Sequence, residues 1–368
     1  MKIILGADVV VTDSNRQLFI DGNVEEIVGE ELLSLLNNAD YRIFNLELAL
    51  TDKALPIKKC GPNIQAPTAC VKGYKALGAD LLCLANNHVL DFGYEGLIST
   101  IKTLDDAKIL KVGAGLNKEE AEKPFIIERD GKTVGIYNCC EHEFSWVEDY
   151  GFGCNGFDDL ETPDKIKKLK EKCDYVIVLY HGGKEHYQYP SPRLRKVCRK
   201  LTEKGADLVL CQHTHCVCAE EDYAGGKIIY GQGNFIFAKE SNVSTWGDGF
   251  LVGVDLSADK VNIEYFPYKM TEKGVQFDTS GKILKDYFER SKEIVKDGFI
   301  EKKFEEMAEE TVLSRYVTPM LGKKPTKEDL DKVGLQLFHC AECEVHRECL
   351  LLGLRKLFRL GKYGEFDN

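Results

Sequence analysis

The sequence predicts an α/β protein: a largely parallel sheet with crossover helices over residues 1–270, followed by a helical extension over residues 271–368. Three observations lead there. Short apolar runs alternate with segments of helical periodicity from Met1 to Tyr268. Five of those runs, Ile3–Gly6, Ile43–Phe44, Leu81–Ala85, Val176–Tyr180 and Leu208–Cys211, switch directly into residues that can bind a metal or a phosphate. Beyond Met270 the chain turns rich in Lys and Glu at helical spacing, with no further run of that kind. A buried strand that ends in a polar side chain delivers it to one sheet edge, so the repetition points to one site assembled from distant segments.

Taken in order, a strand at Ile3–Leu5 leads into an irregular turn at Asp13–Arg16. Leu32, Leu33, Leu35 and Leu36 predict a helix over Gly29–Asn37. Strand Arg42–Asn45 precedes a loop punctuated by Pro56, Gly61, Pro62 and Pro67. A helix over Cys70–Leu77 closes at Gly78, which suits a left-handed cap. Strand Leu81–Ala85 and helix Tyr94–Ala107 come next, then strand Val134–Asn138, helix Pro163–Lys172, strand Val176–Leu179, helix Ser191–Lys204 and strand Leu208–Cys211. Lys227–Tyr230 and Asn234–Phe237 read as a strand pair, and Gly247–Leu256 with Val261–Tyr268 as antiparallel strands, which makes the sheet system mixed. Lys282–Glu309 and Gly334–Leu360 are the helices of the extension.

A formal charge of −11 argues against a nucleic-acid backbone or an anionic membrane as the main partner. The Lys-rich run Lys165–Lys172 carries Ile166 and Leu169 at helical spacing and reads as a solvated helix face. No stretch has the length of a transmembrane helix, and Met1-Lys2 runs into Gly6-Ala7-Asp8 without a secretory leader, so the expected location is cytoplasmic. Fourteen cysteines, several inside predicted core strands, fit buried free thiols in a reducing compartment.

Asp8 and Glu47 follow the first two strands, Asn86-Asn87-His88 the third, and His181, His213 and His215 the later ones. Carboxylates, an amide oxygen and neutral imidazoles together suit two divalent ions of the Mn, Fe, Zn or Ni type. An extended segment would turn His213 and His215 to the same side. A carboxylate such as Glu47 can bridge two metals, and His88 can protonate a leaving group. Gly182-Gly183 leave the backbone uncovered next to His181, with Glu185 following. Glu141 and Glu143 either line the site or sit on a surface loop, and Lys59 either offers its cation to an anionic substrate or belongs to an ordinary loop. Asn86, Glu185 and Asn234 complete the candidate substrate contacts. Near the C-terminus, Cys340, Cys343, His346 and Cys349 either hold zinc or form the apolar stripe of a helix, the uniform spacing favouring the helix.

The order Gly-Ala-Asp, Asn-Leu-Glu, Asn-Asn-His, His-Gly-Gly, His-Thr-His and Tyr230-Gly231-Gln232-Gly233-Asn234-Phe235 resembles the CapA/PgsA poly-γ-glutamate capsule-synthesis branch of the calcineurin-like metallophosphoesterases, over about Met1 to Tyr268. The resemblance implies a four-layer α/β/β/α sandwich with two metals at the sheet edge. It assigns Asn87, His181, His213 and His215 as ligands and His88 as the acid, and matches Glu47 to the usual bridging aspartate. One departure stands out: the superfamily's first motif is Asp-x-His, and here it is Asp8-Val9-Val10, one imidazole short.

The expected activity is metal-dependent hydrolysis of a phosphoester or related anionic bond in capsule or poly-γ-glutamate synthesis. Two alternatives stand beside it: cleavage of a γ-glutamyl or other amide bond, and a non-catalytic accessory role in polymer assembly. An anionic small molecule or polymer is the expected substrate. The apolar stripe of the C-terminal helices offers a surface for a homo-oligomer.

Overall fold

The computed structural model describes residues 1–53, 55–59, 61–239, 241–257 and 261–312, and beyond them 318–322, 324, 326–329, 334, 338 and 341. Two sheets carry the fold. The first contains β1 (Lys2–Val9), β2 (Tyr41–Leu46), β3 (Leu81–Cys83) and β4 (Leu110–Val112), all parallel. The second contains β5 (Phe125–Arg129), β6 (Lys132–Cys140), β7 (Tyr175–His181), β8 (Leu208–Gln212), β9 (Glu220–Tyr223) and β10 (Gly226–Ile229). In it β6, β7, β8 and β10 run parallel, with antiparallel β5 and β9 at the edges. The chain then returns to the first sheet as β11 (Asp248–Asp255), β12 (Asn262–Met270) and β13 (Val275–Phe277), giving the order β13-β12-β11-β1-β2-β3-β4.

The central strands are buried on both faces, which explains why they read as continuous apolar runs. Ile3, Leu5, Ile43 and Leu81 turn one way and meet Ile136, Ile177, Leu179, Leu208 and Leu210 of the second sheet. Ile4, Phe44 and Leu82 turn the other way, against the helices α2 (Glu25–Asn37), α3 (Val71–Ala76) and α4 (Gly93–Ala107). The outer face of the second sheet is covered by α5 (Thr162–Lys170) and α6 (Pro192–Glu203): a Cβ on Gly135 would lie 2.8 Å from Leu169, and Sγ of Cys198 lies 3.5 Å from Sγ of Cys211. The layers are therefore helix, sheet, sheet, helix, the four-layer sandwich that the resemblance implied. Each fully buried Leu, Ile or Phe contributes roughly 1.5–3 kcal/mol relative to exposure.

Local chemistry sets the helix ends. Oγ of Ser191 accepts from the Leu194 amide at 3.0 Å, with Pro192 in the first turn of α6. Gly78 takes the left-handed conformation expected of it, with φ of 75°.

Several expectations need correction. Asp13–Asn15 form the expected turn, but it leads into a helix, α1 (Arg16–Asp21), that was not expected. Residues 234–237 form no hairpin with β10. Instead the amides of Phe235 and Ile236 donate to the Asp8 carbonyl at 3.1 and 3.0 Å, and the Val10 amide donates to that of Ile236 at 2.6 Å, so the segment docks at the end of β1. The compact first unit runs to Lys296, past the boundary expected at 270, because β13 pairs with β12 and α7 (Lys282–Ile294) is tied to the second sheet. In α7, Oγ of Ser291 accepts from the Glu220 amide, Tyr287 donates to the Glu220 carboxylate, and Arg290 donates to the carbonyls of Cys218 and Val217. The second unit begins at Asp297 and contains α8 (Phe299–Thr311). Cys340, Cys343, His346 and Cys349, and most of the helix expected at Gly334–Leu360, lie outside the described residues.

The ten described cysteines are all free and buried. Among the described residues no helix is long and apolar enough to cross a membrane.

One buried ion pair fastens α6 to β9. Arg199 donates to both carboxylate oxygens of Glu221, at 2.9 and 2.6 Å, and the buried Tyr230 hydroxyl donates to the same group at 2.6 Å. Burial pushes the Glu221 carboxyl up, but Arg199 and Tyr230 outweigh it and hold the pKa below the usual range. That stabilisation is present above the unfolded carboxyl value of about 4.3 and is lost as pH falls through the folded value. Glu221→Ala should therefore lower unfolding free energy by about 2–3 kcal/mol at pH 7 and by much less near pH 3, measured by urea denaturation at the two pH values.

Candidate metal centre

All the strands that supply the site run parallel, so their C-terminal ends lie on the same side of each sheet. Asp8 lies near the end of β1, Glu47 follows β2, Asn87 and His88 follow β3, His181 ends β7, and His213 and His215 follow β8. The two inner sheet faces are packed together, and this brings the six candidate ligands within reach of one another. All are buried, from 0% exposed at Glu47 to 7% at His215.

The donors fall into two groups that share Glu47. In one, single ligand atoms of Glu47, His181 and His213 lie within 4.8 Å of each other, and Oδ1 of Asn87 is 3.0 Å from Nε2 of His181. In the other, Asp8, Glu47 and His215 meet the same distance. Oε1 of Glu47 stands 3.2 Å from Nε2 of His181, yet neither oxygen of Glu47 has a hydrogen bond. Oδ2 of Asp8 and Nδ1 of His213 are likewise buried without a hydrogen-bond partner. Buried polar atoms in folded proteins are almost always paired, and a buried carboxylate without a partner is expensive. Carboxylates, imidazoles and an amide oxygen converging with unsatisfied lone pairs fit divalent cations.

A chain of amides fixes the donors. Nδ2 of Asn86 donates to Oδ1 of Asn45 at 3.1 Å, and Nδ2 of Asn45 donates to Oδ1 of Asp8 at 2.7 Å, which leaves the other oxygen of Asp8 free to face His215 at 3.4 Å. Oδ1 of Asn234 lies 2.7 Å from Nδ1 of His215 and fixes that ring. Asn86 and Asn234, expected as substrate contacts, each hold a neighbouring side chain of the site. Both are at most 1% exposed; the Asn86 amide bonds on both sides, to the Leu46 carbonyl and the His88 amide, whereas Nδ2 of Asn234 is buried without a hydrogen-bond partner.

The backbone of the histidine pair also differs from expectation. His213 and His215 sit at φ of 84° and 53°, in a left-handed turn and not an extended segment. Non-glycine residues there are strained, and such strain is typical of functional sites. The turn still brings the two rings to 5.9 Å, with His181 4.8 Å from His213.

From the protein's own charges, burial works against ionisation throughout. Against it, the contacts with His215, His181 and Asn45 hold the Asp8 carboxyl below its usual range. Glu47 and Asp8 raise His215 to about 9 and push His181 up despite their burial. His213 goes far down, through burial and the neighbouring imidazoles. Glu141 and Glu143 stand 3.9 and 3.7 Å from Nε2 of His213, and burial with mutual repulsion lifts Glu141 to about 7. A Cβ on Gly182 would collide with the Glu141 carboxyl at 2.9 Å, so the glycine is what admits it.

His88 is built differently. Its Nδ1 lies 2.6 Å from Oδ2 of Asp91, a residue with no exposure, and Lys59 forms an ion pair with Oδ1 of the same carboxylate. Nζ of Lys59 is 3.3 Å from Nδ1 of His88 and lies over the Phe144 ring at 5.0 Å. Lys59, which the sequence left as either a cation for substrate or an ordinary loop residue, therefore faces Asp91.

Two features were given no role from the sequence. Asp91 was given no role, although its spacing three residues after His88 on a turn was a usable signal. Lys239 carried none: its ammonium lies 4.1 Å over Trp246 and 4.7 Å over Phe237, and both rings also flank His215. Burial lowers the Lys239 pKa, while Glu47 and Glu185 hold it up.

Comparison with known proteins adds the following. Residues 2–239 match the family described as bacterial capsule synthesis protein PGA_cap. The capsule biosynthesis protein CapA of Bacillus anthracis is 32% identical over 212 residues, covering 55% of this chain and 51% of that one. A probable polyglutamine synthesis accessory protein of Mycobacterium tuberculosis is 28% identical over 231 residues, covering 56% of this chain and 58% of that one. The chain thus spans about half the length of the curated relatives it matches. Among solved structures, a hypothetical protein from Thermus thermophilus aligns with a TM-score of 0.47 and 14% identity, over 74% of this chain and 100% of that one.

Removing one imidazole should open the centre without emptying the core. His213→Ala and His215→Ala are each expected to weaken divalent-cation binding at least about 100-fold, measured by elemental analysis after dialysis, with unchanged far-UV circular dichroism. Full metal content in both variants would remove these histidines from the ligand set.

Proposed function

The chain belongs to the bacterial capsule synthesis protein family PGA_cap, and from that premise we propose that it is a metal-dependent hydrolase of phosphoester-type anionic bonds in capsule or poly-γ-glutamate synthesis. The observation that carries the reading is Glu47, a carboxylate with no exposure and no hydrogen bond, standing between two donor groups. Glu47, Asn87, His181 and His213 would hold one divalent ion, and Asp8, Glu47 and His215 the other. Bound ions supply Lewis-acid polarisation of the scissile group and neutralise its charge.

In hydrolysis, water adds to phosphorus and the bond to the leaving oxygen breaks. That oxygen takes a proton, and His88 is the group that can give it from Nε2. Its other nitrogen faces Asp91, which fixes the ring's orientation. Lys59 shares the Asp91 carboxylate and is a positioning residue in this scheme. Lys239, exposed and stacked on Trp246, offers the positive charge that an anionic substrate needs at the rim. The ten buried free thiols favour a reducing, cytoplasmic setting.

A second reading is a non-catalytic accessory role, and Val10 favours it: it is buried and apolar where the superfamily motif has an imidazole. The same site chemistry could also act on a γ-glutamyl amide. A panel of phosphoesters and γ-glutamyl peptides, assayed with Mn, Zn, Fe and Ni, separates the three. Turnover of phosphoesters supports the first reading, turnover of peptides alone the amide variant, and bound metal without turnover of either the accessory role.

His88→Asn and Asp91→Asn should retain metal and slow alkyl phosphoester turnover about 100-fold, with a smaller loss on nitrophenyl esters, whose leaving group needs no proton. Equal losses on both substrates would mean that His88 does not serve as the acid. Lys239→Met should raise KM about tenfold at nearly constant kcat, as expected for loss of a charged contact made equally in the ground and transition states.

A further inference from the structure

We infer that Glu185, expected from the sequence to contact substrate, is instead a metal ligand, taking the place of the imidazole missing at Val10. The inference rests on the reading of the site as a metal centre and extends it to a residue that reading leaves out.

Geometry carries the argument. One carboxylate oxygen of Glu185 and one ring nitrogen each of His213 and His215 lie within 4.8 Å of one another. The same distance joins Glu47 to His213 in one donor group and to His215 in the other. Two carboxylates therefore each face an imidazole of both half-sites. Glu185 also accepts no hydrogen bond at its carboxylate and forms no ion pair among the described residues.

The loop that carries Glu185 is clamped. The Gly182 amide donates to the Gln212 carbonyl at 3.1 Å, and the His186 amide donates to that of Thr214 at 2.8 Å. Between these bonds the chain passes through Gly183 at φ of 117° and reaches His186 at 60°. The segment holding Glu185 is thus tied at both ends to the strand end and turn that hold His213 and His215. Such fixing is what a metal ligand requires, and a left-handed His186 is a strained conformation that the loop adopts to achieve it.

The two donor groups are also unequal without Glu185. Asn87 is a fourth donor beside Glu47, His181 and His213, whereas Asp8, Glu47 and His215 are three, and Val10 can ligate nothing. With Glu185, the second group becomes three carboxylates and one imidazole. An oxygen-rich set of that kind selects Mn²⁺ over Zn²⁺ more than an imidazole-containing one would.

The test uses the full chain, stripped by a chelator and titrated with Mn²⁺ while free Mn²⁺ is followed by its electron paramagnetic resonance signal. Wild type should take up two Mn²⁺ per chain. Glu185→Gln and Glu185→Ala should keep one and weaken the second at least about tenfold, and Glu185→His should recover two-site binding with Zn²⁺ favoured over Mn²⁺. Two undiminished Mn²⁺ sites in Glu185→Gln and Glu185→Ala would overturn this assignment alone. A wild-type chain that takes up no cation would overturn it together with the metal reading beneath it.

Discussion

Glu47 carries a carboxylate to a position with no solvent exposure and gives neither oxygen a hydrogen bond, and the surrounding architecture is organised about that group. A protein interior tolerates such a group only where compensating positive charge is available. His181 and His215 supply part of it, and both are pushed toward protonation by Glu47 and Asp8. The proposed divalent ions would supply the rest and displace those protons, which is why metal affinity and ionisation at this centre belong to a single equilibrium.

Holding charged groups so close demands rigidity, and the fold provides it in layers. Parallel strands buried on both faces cannot slide without exposing apolar surface or breaking ladder bonds. Their ends are then trimmed by amides: Asn86 orients Asn45, Asn45 orients one oxygen of Asp8, and Asn234 orients His215. Segment 234–237 reaches its place by bonding to the end of β1, so the first strand and the last ligand loop are fixed together. This arrangement fixes the donors while leaving both oxygens of Glu47 and one of Asp8 without a hydrogen bond, as a preorganised metal site requires.

The same logic separates the donor groups from His88, the proposed acid. His88 is flanked by Asp91 and Lys59, a carboxylate and an ammonium. Lys59 comes from a Pro-rich loop whose composition carried no sign of burial, and only the fold brings it to Asp91. Lys239 reaches the rim in a similar way, from a segment with no strand or helix of its own.

The sequence by itself determined the α/β class, the order of the central strands and helices, and the six strand-end side chains that the fold gathers as candidate ligands. It could do so because a strand buried on both faces must be apolar along its whole length, and a polar residue at its end is then conspicuous. It also carried the buried state of the thiols. What it could not determine were short or edge elements, such as α1 and β13, whose stability comes from neighbours and not from local pattern, so that the first unit extends to Lys296. Nor could it tell which amide orients a ligand and which one is free. Asn86, Asn87 and Asn234 are chemically alike, and only tertiary placement bonds Asn86 to Asn45 and Asn234 to His215 while leaving Asn87 facing His181. The left-handed turn at His213 and His215 was likewise a tertiary outcome, because strained backbone angles are imposed by packing and hydrogen bonds from distant segments and leave no mark in residue order.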